Sequence, residues 1–132
     1  MDAICSRHSR LLLLDMHSYS DCIVPKDQIL SGRPTPDICI GTDSSFTAEA
    51  LTEIVRRNFE ESGFSAAINY PYSGTFISNA VMNGSVRCDC QSVMIEVNKR
   101  VYCDEEGHSF PEKTAEIASI LKRILVDCVE LK

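Results

Sequence analysis

With 132 residues, the chain is long enough to bury a real core as one domain, and 44% apolar with 24% charged residues is an ordinary globular composition. A formal charge of −6, with basic residues confined to isolated pairs such as Arg56-Arg57 and Lys99-Arg100, excludes nucleic acid as the main partner, because phosphate binding needs a basic face. The aliphatic run at residues 11–14 is too short to span a bilayer or to form a signal-peptide core, and seven scattered cysteines suit free thiols in a reducing compartment, so no membrane partner and a cytoplasmic location are expected.

Taken in chain order, residues 10–17 (RLLLLDMH) form a short unalternating apolar run, which predicts a strand covered on both faces. Residues 21–37 carry Pro25, Gly32, Pro34 and Pro36 and predict a long loop, while residues 37–43 (DICIGTD) read as a second strand. A helix is expected over residues 47–62, capped by Thr47, with Leu51, Ile54, Val55 and Phe59 on its apolar stripe and Gly63 as its stop. Residues 65–69 predict a third strand, followed by the turn-rich residues 70–74. Cys88-Asp89-Cys90 lacks the two-residue gap of a zinc knuckle or redox motif and reads as a loop or strand start.

Residues 92–102 give the strongest strand signal, Val93, Ile95 and Val97 alternating with Met94, Glu96 and Asn98. Ser109 and Glu112 have capping-box spacing at the start of a last helix, whose core stripe is Ile117, Ile120, Leu121, Ile124, Leu125 and Cys128. Strands interleaved with helices predict an α/β layered fold, undivided over residues 1–132.

Two positions break the apolar pattern where breaking it is costly. His17 stands where the first run gives out, and Asp15, two residues earlier on a strand, projects from the same face. An imidazole at a strand's carboxyl end is a natural zinc ligand, and the neighbouring acid can hold its tautomer; a hydrogen-bonded histidine without a metal satisfies the same spacing. Glu96 lies inside a β-branched strand, where a buried carboxylate needs a metal, a cationic partner or a raised pKa. Lys99 and Arg100 are near enough in sequence to supply an ion pair; a carboxylate beside a metal-bound water is the functional alternative. Residues 69–74 (NYPYSG) set an amide, hydroxyls and a flexible glycine at a strand end, where they form either an ordinary turn or a polar ligand site. His8 and His108 lie in polar stretches and are expected to be solvated, and no G-x-S-x-G elbow or phosphate-cradling glycine loop is present.

Residues 15–20 (DMHSYS), 36–43 (PDICIGTD), 69–74 (NYPYSG) and 92–102 (SVMIEVNKRVY) resemble, in this order, blocks of the N-formylglutamate amidohydrolase family. The resemblance implies a mixed α/β sheet flanked by helices, similar to the zinc carboxypeptidase and phosphorylase/hydrolase-like fold. It implies hydrolysis of N-formyl-L-glutamate to glutamate and formate, with Zn2+ as cofactor and a small N-acyl amino acid as substrate. His17 would be the last of three zinc ligands, with Asp15 behind it, and Glu96 the glutamate that activates water. Asn69, Tyr72, Ser73 and Gly74 would line the substrate pocket, and Arg100 would meet a substrate carboxylate or Glu96.

Only the C-terminal part of the family's domain is matched; the N-terminal part that supplies the other two zinc ligands has no counterpart. The expectations that follow are a truncated domain active by itself, a half-domain joined to an N-terminal partner or to itself through an exposed sheet edge, a non-catalytic remnant, or a related metallohydrolase acting on another N-acyl amino acid or peptide-like amide.

Overall fold

The computed structural model describes residues 1–130. In chain order these form helix α1 (Asp2–Cys5), strand β1 (Arg10–Tyr19), strand β2 (Ile38–Gly41), helix α2 (Glu49–Glu61), strand β3 (Ala66–Ile68), helix α3 (Asn79–Met82), strand β4 (Asp89–Asn98) and helix α4 (Pro111–Glu130). The strands make one mixed four-stranded sheet in the order β1-β4-β2-β3, with β1 parallel to β4, β2 antiparallel to β4, and β3 parallel to β2. β4, with Val93, Ile95 and Val97 on one face and Ser92, Met94, Glu96 and Asn98 on the other, lies inside the sheet and is buried on both faces.

One face is the core. Val93, Ile95 and Val97 of β4 and Ile38 and Ile40 of β2 pack against Leu51, Ile54, Val55 and Phe59 of α2 and Ile117, Ile120 and Ile124 of α4. Each such side chain contributes about 1.5–3 kcal/mol on full burial. Phe59 and Phe64 meet edge to face, with ring centroids 6.1 Å apart. Asn58, buried within α2, donates to Ile54 O and to Asp127 Oδ2 of α4, which ties the two helices at the correct height.

The opposite face is divided. At its lower end Cys5 of α1, Val81 of α3, Cys90 of β4 and Leu11 of β1 form a small second cluster. At its upper end the long loop folds over Tyr19, Val24 and Cys39. That loop holds two single 3-10 turns, Asp21–Ile23 and Lys26–Gln28, and is fastened by the Tyr19 hydroxyl donating to Pro36 O.

Several expectations need correction. β1 is an edge strand, half-buried through its leucines and exposed at Met16, His17 and Ser18; it is not covered on both faces. Thr47 does not cap α2: its hydroxyl accepts from Asp43 N–H and donates to Ser92 O, and the helix starts at Glu49 after Ala48. The strand expected over 92–102 begins earlier, at Asp89, and stops at Asn98, whose side chain accepts from Arg100 N–H and turns the chain into a 3-10 turn at Lys99–Val101. Ser109 bridges to Cys103 instead of capping α4, which begins at Pro111, where a proline loses no helical hydrogen bond. Leu125, assigned to the α4 stripe, is 47% exposed beside Val126 and Val129. No helix among the described residues is long and apolar enough to cross a membrane.

Candidate active site

Residues paired across a sheet share a face, so the register decides which side chains meet. Glu96 of β4 is paired with His17 of β1 on one side and with Cys39 of β2 on the other. The structure therefore brings the histidine and the carboxylate, distant in sequence, to neighbouring positions on the face away from the helical core. Glu96 is only 9% exposed, and its Oε2 is buried with no hydrogen-bond partner among the described residues. Burial drives the carboxyl above its ordinary pKa, a trend opposed by the charge of His17 and reinforced by that of Asp15.

His17 Nε2 lies 2.8 Å from Asp15 Oδ1, and Asp15 Oδ2 accepts the Phe76 N–H at 3.0 Å. The acid is thus fixed by the backbone and in turn fixes the ring. The His17 side chain is half exposed while Asp15 is mostly buried, which leaves the imidazole presented to solvent from a rigid base.

The 69–74 segment crosses above this row. Asn69 adopts a left-handed conformation (φ 53°) and closes a reciprocal pair with Thr42, accepting from its N–H at 2.9 Å and donating to its hydroxyl at 2.8 Å. Tyr72 packs edge to face on Tyr19 at 5.6 Å, and its carbonyl accepts from the Cys39 thiol at 3.1 Å. Its hydroxyl is pushed above the usual tyrosine value by burial first, then by the charge of Glu96. Asn69, Tyr72 and Ser73 line a cleft of about 520 Å³; Gly74 lies beyond it, its carbonyl directed at Gly41.

Arg100 is elsewhere. Its guanidinium donates to Asp21 Oδ2 at 2.7 Å, to Thr35 O at 2.8 Å and Thr35 Oγ1 at 3.1 Å, and to Asp37 Oδ1 at 3.2 Å. It makes no ion pair with Glu96, and four bonds within the long loop leave it little to offer a substrate. The expected Arg100 contact with Glu96 is replaced by a structural one with Asp21 and Asp37.

A model of the N-formylglutamate amidohydrolase family matches residues 1–103. The chain belongs to this family. No curated protein matches it. Among solved structures, the crystal structure of N-formylglutamate amidohydrolase from Ralstonia eutropha JMP134 superposes with a TM-score of 0.67 at 22% identity, covering 90% of this chain and 44% of that one. At that identity the likeness is one of fold, and the chain spans less than half the length of the enzyme it resembles. This chain's sheet is mixed, with helices on both faces and the His17–Glu96 row on the face opposite α2 and α4.

Two members of the site, Tyr19 and Arg33, went unnoticed in the sequence, and for a third, Cys39, the sequence left open whether it approaches the pocket. Cys39 adjoins Glu96, and burial lifts its thiol to about 11, which disfavours the thiolate at neutral pH. Tyr19, paired with Asn98, carries Tyr72, and Arg33 lines the cleft. Only the alternation His17–Tyr19 held a usable signal, since it sets both on one face.

The Arg100 hub makes a separate prediction. For Asp21, burial raises the pKa but bonds from Thr35, Asn98 and Arg100 outweigh it; for Asp37, bonds from Ser65 and Arg100 do the same, so both carboxyls sit below their ordinary range. A depressed carboxyl stabilises the fold above its unfolded pKa, about 3.9, and that contribution is lost as pH falls through the folded value. Arg100→Gln should cost about 1–2 kcal/mol at pH 7, less than a fully buried charged bond because the guanidinium is 43% exposed, and the gap from wild type should narrow below about pH 4. Urea melts at pH 7 and pH 3 measure both.

Proposed function

We propose that these residues carry the catalytic carboxylate and one metal ligand of an enzyme that hydrolyses N-formyl-L-glutamate to glutamate and formate. The observation that supports this most is the lateral pairing of His17 with a buried Glu96 whose Oε2 has no partner. An uncompensated buried oxygen costs stability, and such costs are kept where chemistry uses them.

His17 has the chemistry of a zinc donor: one ring nitrogen is engaged by Asp15, which leaves the other for a metal. A catalytic zinc takes three protein donors and an open position. Among the described residues no group of three or more histidines, cysteines or acids is arranged to hold a metal, so His17 would be one donor of a set completed from outside them. When bound, zinc would polarise the formyl oxygen and acidify a water.

In the reaction, Glu96 takes a proton from the attacking water as the water oxygen bonds to the formyl carbon. It then returns that proton to the amide nitrogen as the C–N bond breaks, releasing formate and the free amine. A raised pKa suits a group that must both accept and give back a proton near neutrality. Asn69, Tyr72 and Ser73, which line the cleft, would hold the rest of the substrate. The seven cysteines, all unpaired, fit a reducing compartment such as the cytoplasm.

A second reading is favoured by one feature: the outer edge of β1, ten residues long, has no partner strand among the described residues. Such an edge invites another strand. In that case the chain is a half-site that acts only when a further segment or subunit supplies the remaining zinc donors. Formate release from N-formyl-L-glutamate by the purified chain with added zinc is the expected result of the first reading. Zinc binding lost in His17→Ala but no formate from the parent chain would favour the second. Faster turnover of another N-acyl amino acid would keep the metallohydrolase and change its substrate.

A further inference from the structure

The cleft at the β3 end of the sheet contains a cation for which neither the fold nor the proposed hydrolysis has yet given a use. Arg33 lines it together with Asp27, Asn69, Tyr70, Tyr72 and Ser73. The Arg33 guanidinium lies 4.4 Å above the centre of the Tyr70 ring, and the Tyr70 hydroxyl donates to Arg33 O at 2.8 Å. Arg33 N–H in turn donates to Leu30 O at 3.0 Å. Arg33 is exposed, but its backbone and head group are both held by Tyr70, which is buried.

Arg56, Arg57 and Arg100 are each satisfied by carboxylates, whereas Arg33 makes no ion pair among the described residues, not even with Asp27 on the same cleft. Tyr72 is the link from the cleft to the sheet row: it lines the cleft and packs on Tyr19 and Cys39, and Cys39 is the strand neighbour of Glu96. A protein of formal charge −6 repels anionic ligands on average, so a fixed cation is what would draw one to this place.

Building on the proposed hydrolysis, we propose that Arg33 determines specificity by holding a carboxylate of the N-acyl amino acid in this cleft while the acyl group faces Glu96. Its planar fork matches a carboxylate with two parallel N–H bonds, and stacking on Tyr70 keeps that fork in one orientation before the ligand arrives. Arg33 does not touch the reacting atoms; it sets which amides are admitted. The carboxylate could be the one on the α-carbon or the one on the side chain, and the two are separable by analogue.

The test is calorimetric binding of N-formyl-L-glutamate, N-formyl-L-glutamine and N-formyl-L-isoglutamine to the parent chain, to Arg33→Gln, and to Arg87→Gln as an exposed-cation control. Arg33→Gln should weaken N-formyl-L-glutamate about 30-fold, or about 2 kcal/mol at 1.4 kcal/mol per tenfold, and Arg87→Gln should leave it within about twofold. The analogue that lacks the contacted carboxylate should bind parent and Arg33→Gln alike, which names the carboxylate. Equal affinity of parent and Arg33→Gln for all three ligands, or no binding to the parent, overturns the proposal.

Thermal midpoints are read alongside. If Arg33→Gln unfolds, Arg33→Lys takes its place: retained charge should keep binding within about fivefold, and binding as weak as an unrelated anion counts against a carboxylate contact. Binding that depends on Arg33 without any formate release would remove the stand-alone hydrolase and leave this site standing. Formate release indifferent to Arg33→Gln would do the reverse.

Discussion

Glu96→Gln is expected to reduce formate release by about 10²–10⁴-fold while leaving the fold as stable as the parent or more so. The two halves of that expectation have one cause. Glutamine keeps the shape of the side chain and removes the charge, so nothing in the sheet has to move. What disappears is the desolvation cost of a carboxylate whose Oε2 is buried without a partner. What also disappears is the group proposed to take a proton from water and pass it to nitrogen. A structural glutamate would behave oppositely, since breaking a satisfied ion pair leaves a buried charge and lowers stability by several kcal/mol. Turnover, thermal midpoint and zinc affinity measured on the same preparation separate these cases. Unchanged turnover would end the proton-shuttle role, and a sharply lowered midpoint would make Glu96 a structural residue.

How much of this was legible in the sequence follows from what each signal encodes. The alternation Val93–Met94–Ile95–Glu96–Val97 fixes a strand and puts Glu96 on the face opposite the valines and isoleucine, so its departure from the pattern was visible. The same period places Asp15 beside His17, and the structure joins them at 2.8 Å. Register lies beyond periodicity: no local pattern says that His17 stands opposite Glu96 and not two residues away, because that depends on how β1 docks on β4 after a separation of some eighty residues. Family resemblance, which carries register implicitly, bridged that gap.

Caps and charges were read less well, and for a shared reason. Thr47, Ser109 and Arg100 all have short-range uses that sequence suggests, and each was drawn off by a distant partner: Ser92 O, the Cys103 bridge, and the Asp21–Thr35–Asp37 loop. Arg33 shows the converse. Its sequence neighbours are all turn formers, so nothing local marks it; only the folded loop sets it over Tyr70 and leaves its charge unmatched.

Gly41→Ala should be the most damaging small substitution in the sheet, lowering stability by about 3 kcal/mol and weakening substrate binding together. Backbone strain is not the reason, since Gly41 is an ordinary strand residue at the end of β2. The reason is proximity: an added Cβ would stand 2.1 Å from Gly74 O, 2.4 Å from Met94 Cε and 3.0 Å from Met94 Cβ. The Met94 methyl is the end of a flexible side chain and can swing away. The Gly74 carbonyl is backbone, in a segment pinned by the Asn69–Thr42 pair and by the Cys39 thiol on Tyr72 O, so relief must come from lifting the loop that carries Tyr72 and Ser73. Gly84→Ala makes the matching control. At φ 73° it strains the backbone by about 1 kcal/mol, yet its Cβ meets nothing within 4 Å and it lies far along the chain from the cleft, so stability falls modestly and binding of N-formyl-L-glutamate stays. If Gly41→Ala melted like the parent and bound the ligand as well, the 69–74 segment would not be resting on β2, and the cleft would have to be built another way.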